Sequence, residues 1–273
     1  MRKLEPSFHE RIWGVTDLAP WFPNEFPNEF PNESPNEFLD APVKPGSPPI
    51  GEVWFETSEV PLLVKFLFTR ENLSVQVHPD DDYARLHHNS PGKTEMWHML
   101  AAEPGAKIAA GFREPVTRER LREAALTGEV EQLLQWHPAA RGDTFLIPAG
   151  TVHAIGAGLT ICEIQQLSDI TYRLYDYGRG RELHLDHALA VSHLWPHQAR
   201  CEPPVSCGHF VTESATGPVA LPATRGPALL IVIGGSGQVD GRDTRPGDVW
   251  LQGPQVTQIK GNVRLLRAYS PPR

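Results

Sequence analysis

The chain has 273 residues and no apolar run approaching the roughly 20 residues that cross a bilayer, which excludes a helical membrane protein. Its first residues, MRKLEPSFHERIWG, contain no apolar core of the kind a secretory signal needs, so none is expected. Cysteine is scarce: Cys162, Cys201 and Cys207 are the complete set. Three thiols cannot all pair within one chain, and none of them stands in CxxC spacing. A disulfide scaffold is therefore not expected, and a reduced, cytoplasmic setting is. Basic residues are also in deficit, with 25 Lys and Arg against 33 Asp and Glu and a formal charge of −8. With no dense basic stripe, that average field repels a polyanion, so nucleic acid is a poor partner. A small phosphorylated molecule stays compatible, because one or two local cations overcome a weak global field.

Proline, by contrast, is plentiful. Residues 23–38 read PNEFPNEFPNESPNEF, a four-residue unit repeated four times, and further prolines follow at 42, 45, 48 and 49. A proline in every unit removes a backbone donor, so neither helix nor central strand can form, and residues 23–49 read as an expanded surface loop. From Ile50 onward strand chemistry dominates. LLVKFLF at 62–68 and LSVQVH at 73–78 carry β-branched and aromatic residues, and strands are also expected at 95–101, 143–147 and 159–165. The run Pro79-Asp80-Asp81-Asp82 stops the strand at 73–78 and can cap a short helix over 83–88. Residues 117–136 carry Leu121, Ala125, Val130, Leu133 and Leu134 at helical spacing, with a break at Thr127-Gly128. A connecting helix is expected over 185–194. The tail alternates apolar segments with Gly/Pro turns, which predicts a second, smaller β-barrel. After its Pro246-Gly247-Asp248 turn comes VWLQGPQVTQ, without His, Cys, Asp or Glu, so a metal site is not expected there. The reading is mainly β, with a first domain over 1–195 and a second over 196–273.

Chemistry concentrates in three separated segments. Side chains on a strand alternate faces, so Gln76 and His78 share one side while Val75 and Val77 take the other. Glu95 opens a strand and follows Lys93-Thr94. Gly142–His153 reads GDTFLIPAGTVH, in which Pro148 and Gly150 make a tight turn that aims His153 into a barrel mouth. Taken singly, each of these residues has a commonplace explanation as a surface or structural polar group. Together, two imidazoles, a carboxylate and an amide oxygen make an N2O2 donor set, which suits zinc with a position open for water or substrate. Donor type alone does not exclude Mn, Fe or Co. His87, His88, His184 and His187 read mainly as surface residues on helices or loops.

LSVQVHPDD, PGKTEMW, GDTFLIPAGTVHAIG and EIQQLSDITYRLYDYGR, with ERIWG and GEVWF upstream, resemble the type I mannose-6-phosphate isomerases in their short bacterial form. The resemblance runs from about residue 8 to 190. It implies cupin (jelly-roll) barrels, one metal-bearing and one degenerate, with a few helices. It also implies reversible interconversion of mannose 6-phosphate and fructose 6-phosphate with one divalent ion per chain, usually zinc. The family's metal ligands fall on Gln76, His78, Glu95 and His153, its functional arginine on Arg173, its motif lysine on Lys93 and its acidic residue after the last ligand on Glu163. The sequence departs from the family at Trp13-Gly14-Val15, where WGG is common, and the PNEF repeat follows closely.

What this implies chemically is a proton moved between C2 and C1 through an enediolate, with a metal neutralising the developing charge. Arg173 would stabilise that charge or grip phosphate, and Lys93 would contact phosphate or the oxyanion. Glu163 would carry the proton, or else orient a ligand or Lys93. Two alternatives are an oxygenase-like metal cupin, disfavoured by Gln76 standing where a third histidine is usual, and a non-catalytic sugar-phosphate sensor, disfavoured by the intact donor set. Monomer and homodimer are both open.

Overall fold

The computed structural model describes residues 1–23 and 48–271, so the PNEF repeat beyond Pro23 lies outside the described residues. In chain order the first part contains strands β1 (Arg2–Lys3), β2 (Ser7–Val15), β3 (Ile50–Phe55), β4 (Leu62–Thr69) and β5 (Val75–Val77), then helix α1 (Asp81–His88). Next come β6 (Glu95–Ala102), β7 (Lys107–Phe112), helices α2 (Arg118–Thr127) and α3 (Val130–Leu133), and strands β8 (Leu134–Pro138), β9 (Thr144–Ile147), β10 (His153–Ile155), β11 (Leu159–Gln166) and β12 (Tyr172–Tyr175). Helix α4 (Leu185–Val191) leads to the tail, with β13 (Arg200–Cys201), β14 (Val205–Ser206), β15 (Val211–Thr216), β16 (Val219–Leu221) and β17 (Ala228–Gly234). The last strands are β18 (Gly237–Val239), β19 (Arg242–Thr244), β20 (Val249–Gln252), β21 (Thr257–Gly261) and β22 (Arg264–Tyr269).

Among the described residues these strands form four sheets. The first part holds a seven-stranded sheet, β13-β9-β6-β11-β4-β3-β2, and a five-stranded one, β12-β5-β10-β7-β8. The tail holds a six-stranded sheet, β1-β20-β17-β22-β15-β14, and a four-stranded one, β16-β21-β18-β19. Period-2 alternation shows how they stack. On β4, Leu62, Val64, Phe66 and Phe68 join one core with Leu229, Ile231, Val249, Leu251, Leu266 and Ala268 of the six-stranded sheet. The opposite face of β4 sends Leu67 into the first barrel, against Trp97, Ile108, Phe145, Ile155 and Ile161. Val75, Val77 and Ala109, on the outer face of the five-stranded sheet, pack under Leu121, Ala124 and Leu189 of α2 and α4. Leu230, Val232, Trp250 and Leu265 fill the second barrel with Leu221 and Ile259.

The seven-stranded sheet is therefore covered on both faces, which is why β4 reads as an almost unbroken apolar run. Its single charged residue, Lys65, faces the first barrel beside Leu63 and Leu67.

Helix α1 starts at Asp81, two residues before the expected 83, because Asp80 is its cap and accepts from the Tyr83 amide at 2.9 Å. The helix expected to reach Trp136 ends sooner. Gly128 (φ +84°) closes α2, α3 adds one turn, and residues 134–138 leave as a strand. The reason is tertiary: β8 pairs with β7, Leu134 opposite Phe112 and Trp136 opposite Ala109, which outweighs helical spacing. Sequence patterning also did not foresee β7 as a strand, nor the destination of β1. Arg2 and Lys3 pair with Leu251 and Trp250, so the first strand belongs to the tail's sheet, and Lys3 Nζ meets the buried Asp248 carboxylate at 2.7 Å.

Phe66 packs edge-on against Phe22 (centroids 5.3 Å) and Phe55 (5.9 Å) in the core joining the two halves. Phe66→Ala should destabilise the fold by about 3–5 kcal/mol, with both halves melting in one transition in calorimetry.

Candidate metal centre and pocket

Four expected donors come from three chain segments, and β-sheet register brings them together. In the five-stranded sheet, Gln76 on β5 lies opposite His153 on β10 and, on its other side, opposite Arg173 on β12. Residues directly opposite in an antiparallel pair share a face, so these three side chains point one way. His78 follows β5 by one residue. Glu95 enters from the facing seven-stranded sheet. The turn before His153 closes with Thr151 N–H donating to Pro148 O at 3.1 Å, and Gly150 N–H donates to His78 O at 2.8 Å, tying the two histidine segments together. Gly150 has φ +83°, and an added Cβ there would meet the His193 ring at 2.8 Å, so the turn accepts only glycine without rearrangement.

His78, Glu95 and His153 are buried, and their donor atoms lie within 4.8 Å of one another. His78 Nδ1–H donates to Ile170 O and His153 Nδ1–H to Thr151 O, both at 2.8 Å. Each Nε2 is thereby left with a lone pair facing inward, 3.5 Å from a Glu95 oxygen. Burial holds both imidazoles neutral, lowering His153 to about 4 and His78 well below the usual histidine range. The Gln76 amide nitrogen stands 3.2 Å from His153 Nε2, while its oxygen accepts from Ser74 Oγ. Rotating the amide half a turn moves no heavy-atom position, gives Ser74 a donor instead, and presents Oε1 to the cluster.

Neither Glu95 oxygen has a hydrogen-bond donor of good geometry, although the residue is wholly buried and Lys93 Nζ stands 2.9 Å from Oε2. A buried carboxylate without donors, flanked by two imidazole lone pairs, is an unbalanced arrangement that a divalent cation would complete. Lys93 Nζ also reaches His78 Nε2 at 3.1 Å. Burial favours its neutral amine, but Glu95 and Glu163 outweigh that and keep it a cation, its pKa above the ordinary lysine value.

Glu163 faces the same interior. It lies between Trp97 and Lys65 in register, accepts from Trp97 Nε1 at 2.9 Å, and has Lys65 Nζ at 3.9 Å. Burial first, and then the Glu95 charge, raise its pKa to about 7. Gln76 and Lys93 open onto a cavity of about 380 Å3 whose lining also includes Glu163, Arg173, Arg181 and Arg11. Four of the seven residues expected from sequence thus line this space, and the other three, His78, Glu95 and His153, are buried against Gln76 and Lys93.

Patterning missed further polar residues there, among them Lys65, Asp169, Ser74, Arg11 and Arg181. Lys65 is buried, bonded to Asp169 at 3.0 Å and set over the Trp54 ring at 4.2 Å. Its signal was available, since a lone charge inside the apolar run LLVKFLF must find partners if both faces are covered.

No protein-family model matches the chain. Individual relatives do. The probable mannose-6-phosphate isomerase GmuF of Bacillus subtilis is 37% identical over 211 residues, 69% of this chain and 67% of its own length. The chain belongs to the mannose-6-phosphate isomerase family.

A Streptococcus mutans mannose-6-phosphate isomerase is likewise 37% identical, over 69% of this chain and 66% of its own length, so the match spans about two thirds of such relatives. The solved mannose 6-phosphate isomerase of Bacillus subtilis superposes with a TM-score of 0.80 at 26% identity, covering 98% of this chain and 99% of its own. A mannose 6-phosphate isomerase solved in a zinc-bound form gives 0.71 at 15% identity, over 99% of each chain, a likeness of fold. As in this family, the architecture is the cupin fold, and the expectation of mainly β cupin barrels with a few helices holds.

Two substitutions separate the roles of the charged pair. Glu95→Gln removes the anionic donor, and bound metal measured by plasma emission after dialysis against a chelator should fall well below one per chain. Lys93→Met removes a competing cation, so chelator competition should show metal held about tenfold or more tighter while turnover falls.

Proposed function

We propose that the protein interconverts mannose 6-phosphate and fructose 6-phosphate, with zinc held by Gln76, His78, Glu95 and His153. The observation that carries this reading is a cavity walled by Gln76 and Lys93, which touch the buried His78–Glu95–His153 cluster, with guanidinium groups along its other side. Such a cavity accommodates a hexose with its reacting carbons toward the donors and its phosphate toward the cations. The N2O2 donor set and the zinc-bound relative support zinc over other divalent ions. Three free thiols support a reducing, cytoplasmic setting.

An ion held by these four residues would supply positive charge that stabilises the enediolate. The chain's own groups do the rest. Glu163 takes the proton from one carbon and returns it to the other; burial and the Glu95 charge raise its pKa above the usual carboxylate range, which makes it a stronger base. Trp97 Nε1 anchors Glu163 Oε2, leaving Oε1 toward the cavity. Lys65, fixed by Asp169, keeps a positive charge beside Glu163 and restrains its pKa from rising further. Lys93 offers its ammonium to the sugar oxygens. Arg173, beside Gln76 in register, neutralises the developing enediolate charge. Arg181 and Arg11 are the phosphate contacts, and Arg181 is held for this by Asp176, which accepts from its Nε at 2.8 Å.

A coupled assay with mannose 6-phosphate tests the whole. Chelation should abolish turnover and zinc should restore it; full activity in verified metal-free protein overturns the metal role. Arg173→Ala should leave metal content unchanged and lower kcat by about 10²–10³.

The pH profile tests Glu163. Its carboxylate is the proton acceptor, so activity should fall as pH drops through its pKa, near 7 in metal-free protein and lower once a cation's charge is beside it. Glu163→Gln should retain metal and lose turnover at every pH.

A further inference from the structure

Arg173 lies on β12, the edge strand of the five-stranded sheet. An edge strand leaves alternate N–H and C=O groups without a neighbouring strand. At Arg173 both outward groups are taken by one residue. Its N–H donates to the His184 ring nitrogen Nδ1 at 3.1 Å, and its C=O accepts from the His184 amide at 2.8 Å. His184 therefore stands in for a missing strand at the one position whose side chain enters the cavity. The same loop holds the other end of the arginine, with Glu182 O accepting from Arg173 Nη1 at 2.9 Å. Meanwhile Arg173 Nε is buried without a partner, a donor held in place and left for a ligand.

We propose that His184 is a positioning residue for Arg173, fixing the backbone from which its guanidinium reaches the reacting sugar. This rests on the role assigned to Arg173 above. A merely packed side chain at 184 would not need an acceptor facing a backbone N–H; this one is an imidazole in the tautomer with Nδ1 bare. The clamp then depends on that nitrogen staying unprotonated, because an imidazolium presents a second N–H to the Arg173 amide. The groups facing His184 bear on this from three elements. Arg173 lies across from it on β12, where the Tyr172 ring is also 6.3 Å away, Glu182 is on its own loop and His187 is on α4. Burial first and the Arg173 charge second lower its pKa, outweighing Glu182, so the clamp is intact at neutral pH and opens only on acidification.

The test uses metal-loaded full-length protein and the variants His184→Ala, His184→Asn, Arg173→Ala and His184→Ala/Arg173→Ala. Asparagine offers an acceptor at the place of Nδ1 and cannot be protonated. His184→Ala should lower kcat about tenfold with KM within about twofold and metal content unchanged. His184→Asn should recover most of that loss and weaken the acid limb of the kcat profile. In the double variant the His184 change should add nothing to Arg173→Ala, because a positioning residue acts only through the group it positions. If His184→Ala lowers only the melting temperature, with kcat unchanged per metal-loaded site, or if its effect multiplies that of Arg173→Ala, the inference is overturned. If Arg173→Ala itself leaves kcat intact, the role of Arg173 fails first, an outcome that the single variant distinguishes.

Discussion

Glu95 sets the terms for the rest of the site. Its carboxylate is wholly buried, no hydrogen-bond donor of good geometry reaches it, and two imidazole lone pairs converge on it. An uncompensated charge in a dry interior is too costly to persist without positive charge close by. Lys93 partly meets that need, and a divalent cation would meet it fully. The two histidines are held neutral by burial, and each spends its Nδ1 hydrogen on a backbone carbonyl. Nothing about the imidazoles has to change at neutral pH for them to act as ligands. The pKa of Glu163 follows from the same constraint, because the nearest anion pushing it upward is Glu95.

That constraint exists because the seven-stranded sheet is covered on both sides. One face lies against the tail's six-stranded sheet and the other lines the first barrel. Glu163 on β11 and Lys65 on β4 are adjacent in register on the inner face, and both are buried. They pair with what the barrel offers: Trp97 for Glu163, and Asp169 and the Trp54 ring for Lys65. The tail is thus more than an appendage, since it buries the outer face of the strands that carry the chemistry. The opposite sheet solves a different problem. Its edge at β12 is open, and the loop between β12 and α4 folds back to satisfy it, bringing Arg181 and the His184 clamp to the cavity.

Much of this was legible in the residues themselves. The β-branched and aromatic runs marked β4, β6, β9 and β11, the run Pro79–Asp82 marked the start of α1 to within two residues, and Pro148 and Gly150 marked the turn that delivers His153. Period-2 alternation placed Gln76 and His78 on one face. The long family motifs added Arg173, Lys93 and Glu163. Each of these signals is local, written in propensity, turn geometry or the two-residue repeat of a strand.

The residue types and facing of the candidate donors were therefore determined by sequence, whereas the convergence of His78, Glu95 and His153 was decided by sheet register and barrel closure. The helical spacing that ran on to Leu134 gave way there to pairing with Phe112, and Arg2–Lys3 crossed to a sheet built from residues more than 200 positions away. His184 reads in isolation as one more surface histidine. Its value comes from an unpaired strand edge, and whether a strand has a neighbour is a property of the assembled sheet that no local pattern encodes.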